Sequence, residues 1–96
     1  MKYLVTFEYD PADLPKLAKK AKVYDEDKKK NPDKYPAAIV PAHFMIKGCK
    51  GVAILEVSNP EQMANKFAFM LPEVKYTFTP IIDARTFTKQ YMEMKK

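Results

Sequence analysis

The chain has 96 residues, 47% hydrophobic and 30% charged, with a formal net charge of +5. This is the length of one domain and the composition of a folded protein rather than a disordered tail, and no apolar run reaches the roughly 20 residues that span a bilayer. Cys49 is the single cysteine, which excludes an internal disulfide and, within one chain, a thiolate zinc site or an iron–sulfur cluster.

Lys2 to Tyr9 alternates with period two, Tyr3, Val5, Phe7 and Tyr9 pointing one way and Leu4, Thr6 and Glu8 the other, which predicts a first strand. The opening Met1-Lys2-Tyr3-Leu4-Val5-Thr6-Phe7 meets Glu8 too early for a signal peptide. A cytoplasmic location is expected, with no membrane partner and no cofactor. Asp10-Pro11 then offers a cap and a first-turn proline, and Asp13 with Pro15 a second start one turn later. Leu14, Leu17, Ala18, Ala21 and Tyr24 recur at helical spacing among Lys16, Lys19, Lys20 and Lys22, so an amphipathic helix runs at least to Tyr24. The charged run from Asp25 to Lys34 is expected to form a solvated helix end and loop, stopped by Asn31-Pro32.

Two segments rich in Val, Ile, Phe and Met, Ile39 to Lys47 and Val52 to Val57, flank Gly48-Cys49. A two-residue type II′ turn there sets Lys47 opposite Lys50, Met45 opposite Val52, His43 opposite Ile54 and Pro41 opposite Glu56. Asn59 caps a second helix, with Pro60 in its first turn and Gln62 at the capping-box position. Met63, Ala64, Phe67, Met70 and Leu71 make its buried stripe, and Pro72 ends it. A last strand from Val74 to Ile82 precedes Asp83, which caps a short helix carrying Phe87, Tyr91 and Met94 on one side.

The order β-α-β-β-α-β plus a C-terminal helix predicts a single domain over residues 1–96. Its fold class is α+β, ferredoxin-like, with a four-stranded antiparallel sheet; ferredoxin-like here names topology alone. Right-handed crossovers put both main helices on one side of the sheet. In the expected register Val5, Phe7, Val40, Ala42, Phe44, Ile46, Ala53, Leu55 and Val57 face them. Leu4, Thr6, Glu8, Pro41, His43, Met45, Val52, Ile54 and Glu56 form the other face, which is too apolar to stand bare in water.

Three stretches carry a family resemblance: Met1-Lys2-Tyr3-Leu4-Val5, Val57-Ser58-Asn59-Pro60-Glu61 and Phe78-Thr79-Pro80-Ile81-Ile82-Asp83. In them the chain resembles small archaeal and bacterial members of the dimeric α+β-barrel superfamily. The resemblance implies a homodimer whose sheets close face to face, in some members around a cavity. Haem-degrading members of that superfamily typically combine Asn, Trp and His in the pocket. This chain has no Trp, so that activity does not carry over.

On the face assigned to the barrel interior, His43 is the best catalytic candidate, as a general acid or base or as an anchor for a ligand, with Glu56 or Glu8 setting its pKa. A small-molecule site of Thr6, His43, Met45, Ile54 and Glu56 follows. The plainer alternative is that His43 packs in the interface and satisfies its nitrogens locally. One histidine and two glutamates fall short of a metal site, and Cys49 has no neighbouring His or helix start to activate it.

Nucleic acid is the alternative partner. The charge comes from sixteen lysines and one arginine, Arg85, whereas bidentate recognition of phosphates and base edges favours arginine. Lys50-Gly51-Val52-Ala53-Ile54-Leu55-Glu56-Val57 has the spacing of the third-strand signature of RNA recognition motifs. Val52, Ile54 and Val57, however, stand where base stacking needs aromatic rings. The expected partners are therefore a second copy and a small molecule. Nonspecific nucleic-acid binding and a purely structural assembly role stand as alternatives.

Overall fold

The alternation of β1 (Lys2–Tyr9) organises the computed structural model, which describes residues 1–95. After β1 come α1 (Leu14–Lys30), β2 (Ala37–Phe44), β3 (Lys50–Glu56), α2 (Pro60–Met70), β4 (Val74–Pro80) and α3 (Ala84–Met94), with short 3-10 turns at Pro11–Asp13 and Pro32–Lys34. The sheet runs β2-β3-β1-β4 and is antiparallel throughout. This is the ferredoxin-like α+β arrangement with an added C-terminal helix. No helix among the described residues is long and apolar enough to cross a membrane.

Pairing propagates the side-chain direction of β1 outwards. Val5 lies between Ala53 and Phe78, and Phe7 between Gly51 and Tyr76, so these residues share the helix side, where Val5, Ala53, Leu55 and Val57 form a buried cluster. Phe7, Leu17 and Val74 form a second one. Gly51 is necessary to this arrangement, because a Cβ there would run into the Phe7 ring.

Both starts proposed for the first helix are used in succession. Asp10 Oδ1 accepts from the Ala12 N–H at 2.9 Å to cap the 3-10 turn, and α1 then begins at Leu14 with Pro15 in its first turn. At α2 the capping is reciprocal: Asn59 Oδ1 accepts from Gln62 N at 3.0 Å, and Gln62 Oε1 from Ser58 N at 2.8 Å. The charged run does extend α1 to Lys30, but it leads into one of the best-buried side chains. Tyr35 is 2% exposed, with ring centroids of Tyr24 and Phe69 at 4.6 and 6.4 Å. Its hydroxyl donates to Asp27, which also accepts from Asn31 Nδ2 and Lys34 Nζ, each at 3.1 Å. These donors hold the Asp27 carboxyl below the usual carboxylate range, the Tyr35 bond contributing most.

The β2–β3 hairpin departs from the expected two-residue turn. Its loop covers Met45 to Cys49, closed by Met45 N donating to Lys50 O at 2.8 Å, with φ positive at both Gly48 (93°) and Cys49 (50°). His43 is opposite Val52 rather than Ile54, Phe44 is opposite Gly51, and irregularities between Ala38 and Val40 and between Val40 and His43 shift the register. Pro41 explains part of this, since an edge strand with no N–H at its middle accommodates a bulge. Aromatic packing explains the rest, because this register sets Phe44 edge-on to Phe7 and Tyr9 at 5.7 and 5.6 Å. As a result Val40 pairs with Ile54 on the open face, Pro41 moves to the helix side, and Ile46 and Met45 leave the sheet for the loop.

Gly51→Ala places a methyl group where the Phe7 ring lies. It is expected to destabilise the fold by about 1 to 3 kcal/mol, the usual cost of overpacking, read as a lower urea midpoint. An unchanged midpoint would show that Phe7 has another place to go.

Candidate functional site

A helix lying on a sheet is held off by its largest side chains, here Leu17 of α1 against Phe7 and Val74, and Tyr24 against Tyr35 and Phe69. Where the facing residues are small, the gap stays open. Ala18 and Ala21 of α1 face Ala38 and Ala42 of β2 and Ala53 of β3, and a cavity of about 550 Å³ remains among them. Its walls are mainly apolar. Asp25 and Lys28 from the last turns of α1 and Lys66 from α2 are its charged groups, and Tyr24 and Tyr76 its phenols.

Lys66 is the unusual member. Its Nζ lies 4.3 Å from the centroid of the Tyr24 ring, and among the described residues it makes no hydrogen bond or ion pair. Burial, reinforced by the charge of Lys28 and opposed by Asp25, lowers its pKa to about 8. Lys20, by contrast, donates to Glu73 at 2.5 Å and to the Leu71 carbonyl at 2.8 Å. Burial raises the Tyr76 hydroxyl to about 12 and pushes Tyr24 up as well, with Tyr76, Tyr35 and Asp25 adding to the rise. Both phenols therefore stay protonated and can donate.

None of the five residues expected to form a ligand site lines this cavity. Thr6, His43, Ile54 and Glu56 belong to the sheet surface away from the helices. One row there reads Thr77, Thr6, Val52, His43 across the four strands, and the next Thr79, Leu4, Ile54, Val40. Thr6 and His43 thus share a row, with Val52 between them and about 10 Å separating their Cα atoms at ordinary strand spacing. Glu56 lies two rows further on, opposite Lys2 and Ala37, roughly 13 Å along the strand from the His43 row. Glu56 Oε1 accepts from the Met1 amine at 3.4 Å, and Glu8 faces Lys50 Nζ at 3.5 Å. The geometry gives neither carboxylate to His43. The His43 ring is exposed, and its Nδ1 donates to the Pro41 carbonyl at 2.6 Å, which leaves Nε2 as the free acceptor.

Sequence reasoning passed over Lys66, although a signal was present: it falls within the apolar stripe of α2, three residues after Met63 and four before Met70. A lysine at a core-facing helical position is a candidate for a shifted pKa. Comparison of the chain with protein-family models, curated proteins and solved structures finds no match. Among the described residues no three His, Cys, Asp or Glu side chains converge as a metal site would require.

Lys66→Met tests the electrostatics directly. The folded pKa of about 8 lies below the ordinary value, so between about pH 8 and 10 the unfolded chain binds more protons and stability rises with pH. The variant is expected to be more stable than the parent at pH 7 in urea titrations, with an advantage that shrinks towards pH 10. Parallel pH profiles for the two proteins would mean that Lys66 is solvated.

Proposed function

We propose that this protein binds a small, largely apolar molecule in the cavity between α1 and the sheet. The observation that carries the reading is the apolar groove itself. It is open to solvent along the exposed Ala18, Ala21, Ala38 and Ala42, and its volume of about 550 Å³ falls within the range of small-molecule sites, about 300 to 1,000 Å³. A ligand there supplies the contacts that the alanines do not, and stabilises the fold by mass action. The charged and phenolic groups at hand suit holding and orienting a ligand.

The open sheet face supports a second part of the proposal, that the working form is a homodimer. Leu4, Val40, Val52 and Ile54 are only half-buried there, and the apolar side of α3 is uncovered, with Phe87, Tyr91 and Met94 at 61%, 52% and 85% exposed. Closure of two sheets, as the resemblance to dimeric α+β barrels implies, would remove the first of these surfaces from water. In this reading Thr6, His43 and Ile54 belong to the subunit contact, while the ligand lies on the opposite side of the sheet.

Two measurements bear on these readings. Ala21→Phe, with Ala18→Phe as a second variant, fills the void from α1 and should abolish the fluorescence enhancement of an uncharged naphthylamine dye while keeping the native circular dichroism. Undiminished dye binding by both folded variants would place the ligand elsewhere. Ile54→Lys should convert dimers to monomers or insoluble chain, because a buried unpaired charge is costly. A parent protein that sediments as a monomer at about tens of micromolar, the scale of ordinary weak association, would remove the dimer.

A further inference from the structure

The cavity reading leaves the ligand's chemistry open, and the charges around the cavity constrain it. Lys20, Lys34 and Lys50 each lie within 4 Å of a carboxylate, that of Glu73, Asp27 and Glu8 respectively. Lys66 has no such partner among the described residues. The Tyr24 ring beneath it offsets only part of the cost of taking an ammonium out of water. Lys28 adds a second positive charge and Asp25 a single negative one, so the charged groups lining the cavity carry a net +1. The remaining wall, from Leu17 and Ala21 across to Leu55 and Met70, is apolar.

Each class of ligand acts differently on this arrangement. A cation would add to the repulsion that already disfavours charged Lys66. An uncharged apolar molecule would fill the void and strip more water from the ammonium, deepening its penalty. A molecule with an apolar body and one negative head would fill the void, pair the orphaned lysine and bring the lining charge to zero. The hydroxyls of Tyr24 and Tyr76, kept protonated by burial, add donors suited to an anionic oxygen.

We infer that the cavity takes an amphipathic monoanion, such as a medium-chain carboxylate, with its chain between α1 and the sheet and its head group on Lys66 beside Lys28. The inference rests on the cavity reading, and its test separates the two. Decanoate and decanol share one apolar chain and differ in the head, so each is used to displace the uncharged naphthylamine dye from the parent protein and from Lys66→Met and Lys66→Arg.

For the parent, decanoate should displace the dye at a concentration about tenfold below that of decanol, the scale of one charge-assisted hydrogen bond. Lys66→Met should erase that preference and leave decanol binding intact, and Lys66→Arg should retain it. If acid and alcohol displace equally well from the parent, the anion assignment is wrong and the cavity reading stands. The assignment also fails if the preference survives in Lys66→Met, which would assign it to other surface lysines. If the parent binds none of dye, acid and alcohol, both readings fall together.

Discussion

β1 is hydrogen-bonded along both edges, to β3 and to β4, and the direction of its side chains is thereby imposed on most of the sheet. Because that direction alternates, a slip of one residue would send Leu4 and Thr6 under the helices and Val5 and Phe7 into water. The ring of Phe7 resists such a slip, since it occupies the space over Gly51 that any other residue would fill. Phe44 then packs edge-on to the same ring, and the edge strand bulges to let it do so. The position of the cavity follows from this sequence of constraints. The bulge brings Pro41 and Ala42 to the wall beneath α1.

A domain of this size has little stability to spare, yet it leaves an open apolar groove beside its core and a partly desolvated cation next to it. Both features work against the unliganded fold. Compensation is visible elsewhere: the Tyr24, Tyr35 and Phe69 cluster is closed by the Asp27 network, and the Lys20 bonds fasten α1 to the segment between α2 and β4. Both anchors are on α1, at Lys20 in its middle and at Tyr24 and Asp27 towards its C-terminal end, while the groove runs along the same helix from Leu14 to Lys28.

Much of the architecture was legible because local chemistry and tertiary structure agree. Lys2 to Tyr9 alternates cleanly, and Asn59, Pro60 and Gln62 spell out a helix start that the fold uses as written. The β2–β3 register was not legible, because Gly48-Cys49 suits a short turn locally while the ring packing of Phe44 on Phe7 decides the pairing from a distance. Burial of Tyr35 was hidden by the charges before it. Face assignments placed Thr6, His43, Ile54 and Glu56 correctly on one surface, but a shared face does not bring residues together along it, and Glu56 lies too far down its strand to serve His43. The cavity left no periodic trace. Five alanines fit a tight helix–sheet contact as readily as a hollow one, and only the height at which Leu17, Tyr24 and Phe7 hold α1 distinguishes the two.

The exposed C-terminal helix gives the molecule a radius of gyration of 15.8 Å, against about 12 to 13 Å for a compact chain of this length. Every described residue of α3 is exposed, and its eleven residues fall short of the roughly 12 to 15 at which an isolated helix becomes even marginal in water. Its helicity is therefore sensitive to whatever surface takes up Phe87, Tyr91 and Met94. If copies of the chain associate over this helix, far-ultraviolet ellipticity would carry a concentration-dependent part, in which the terminal helix reports on that contact while the remaining elements report on folding.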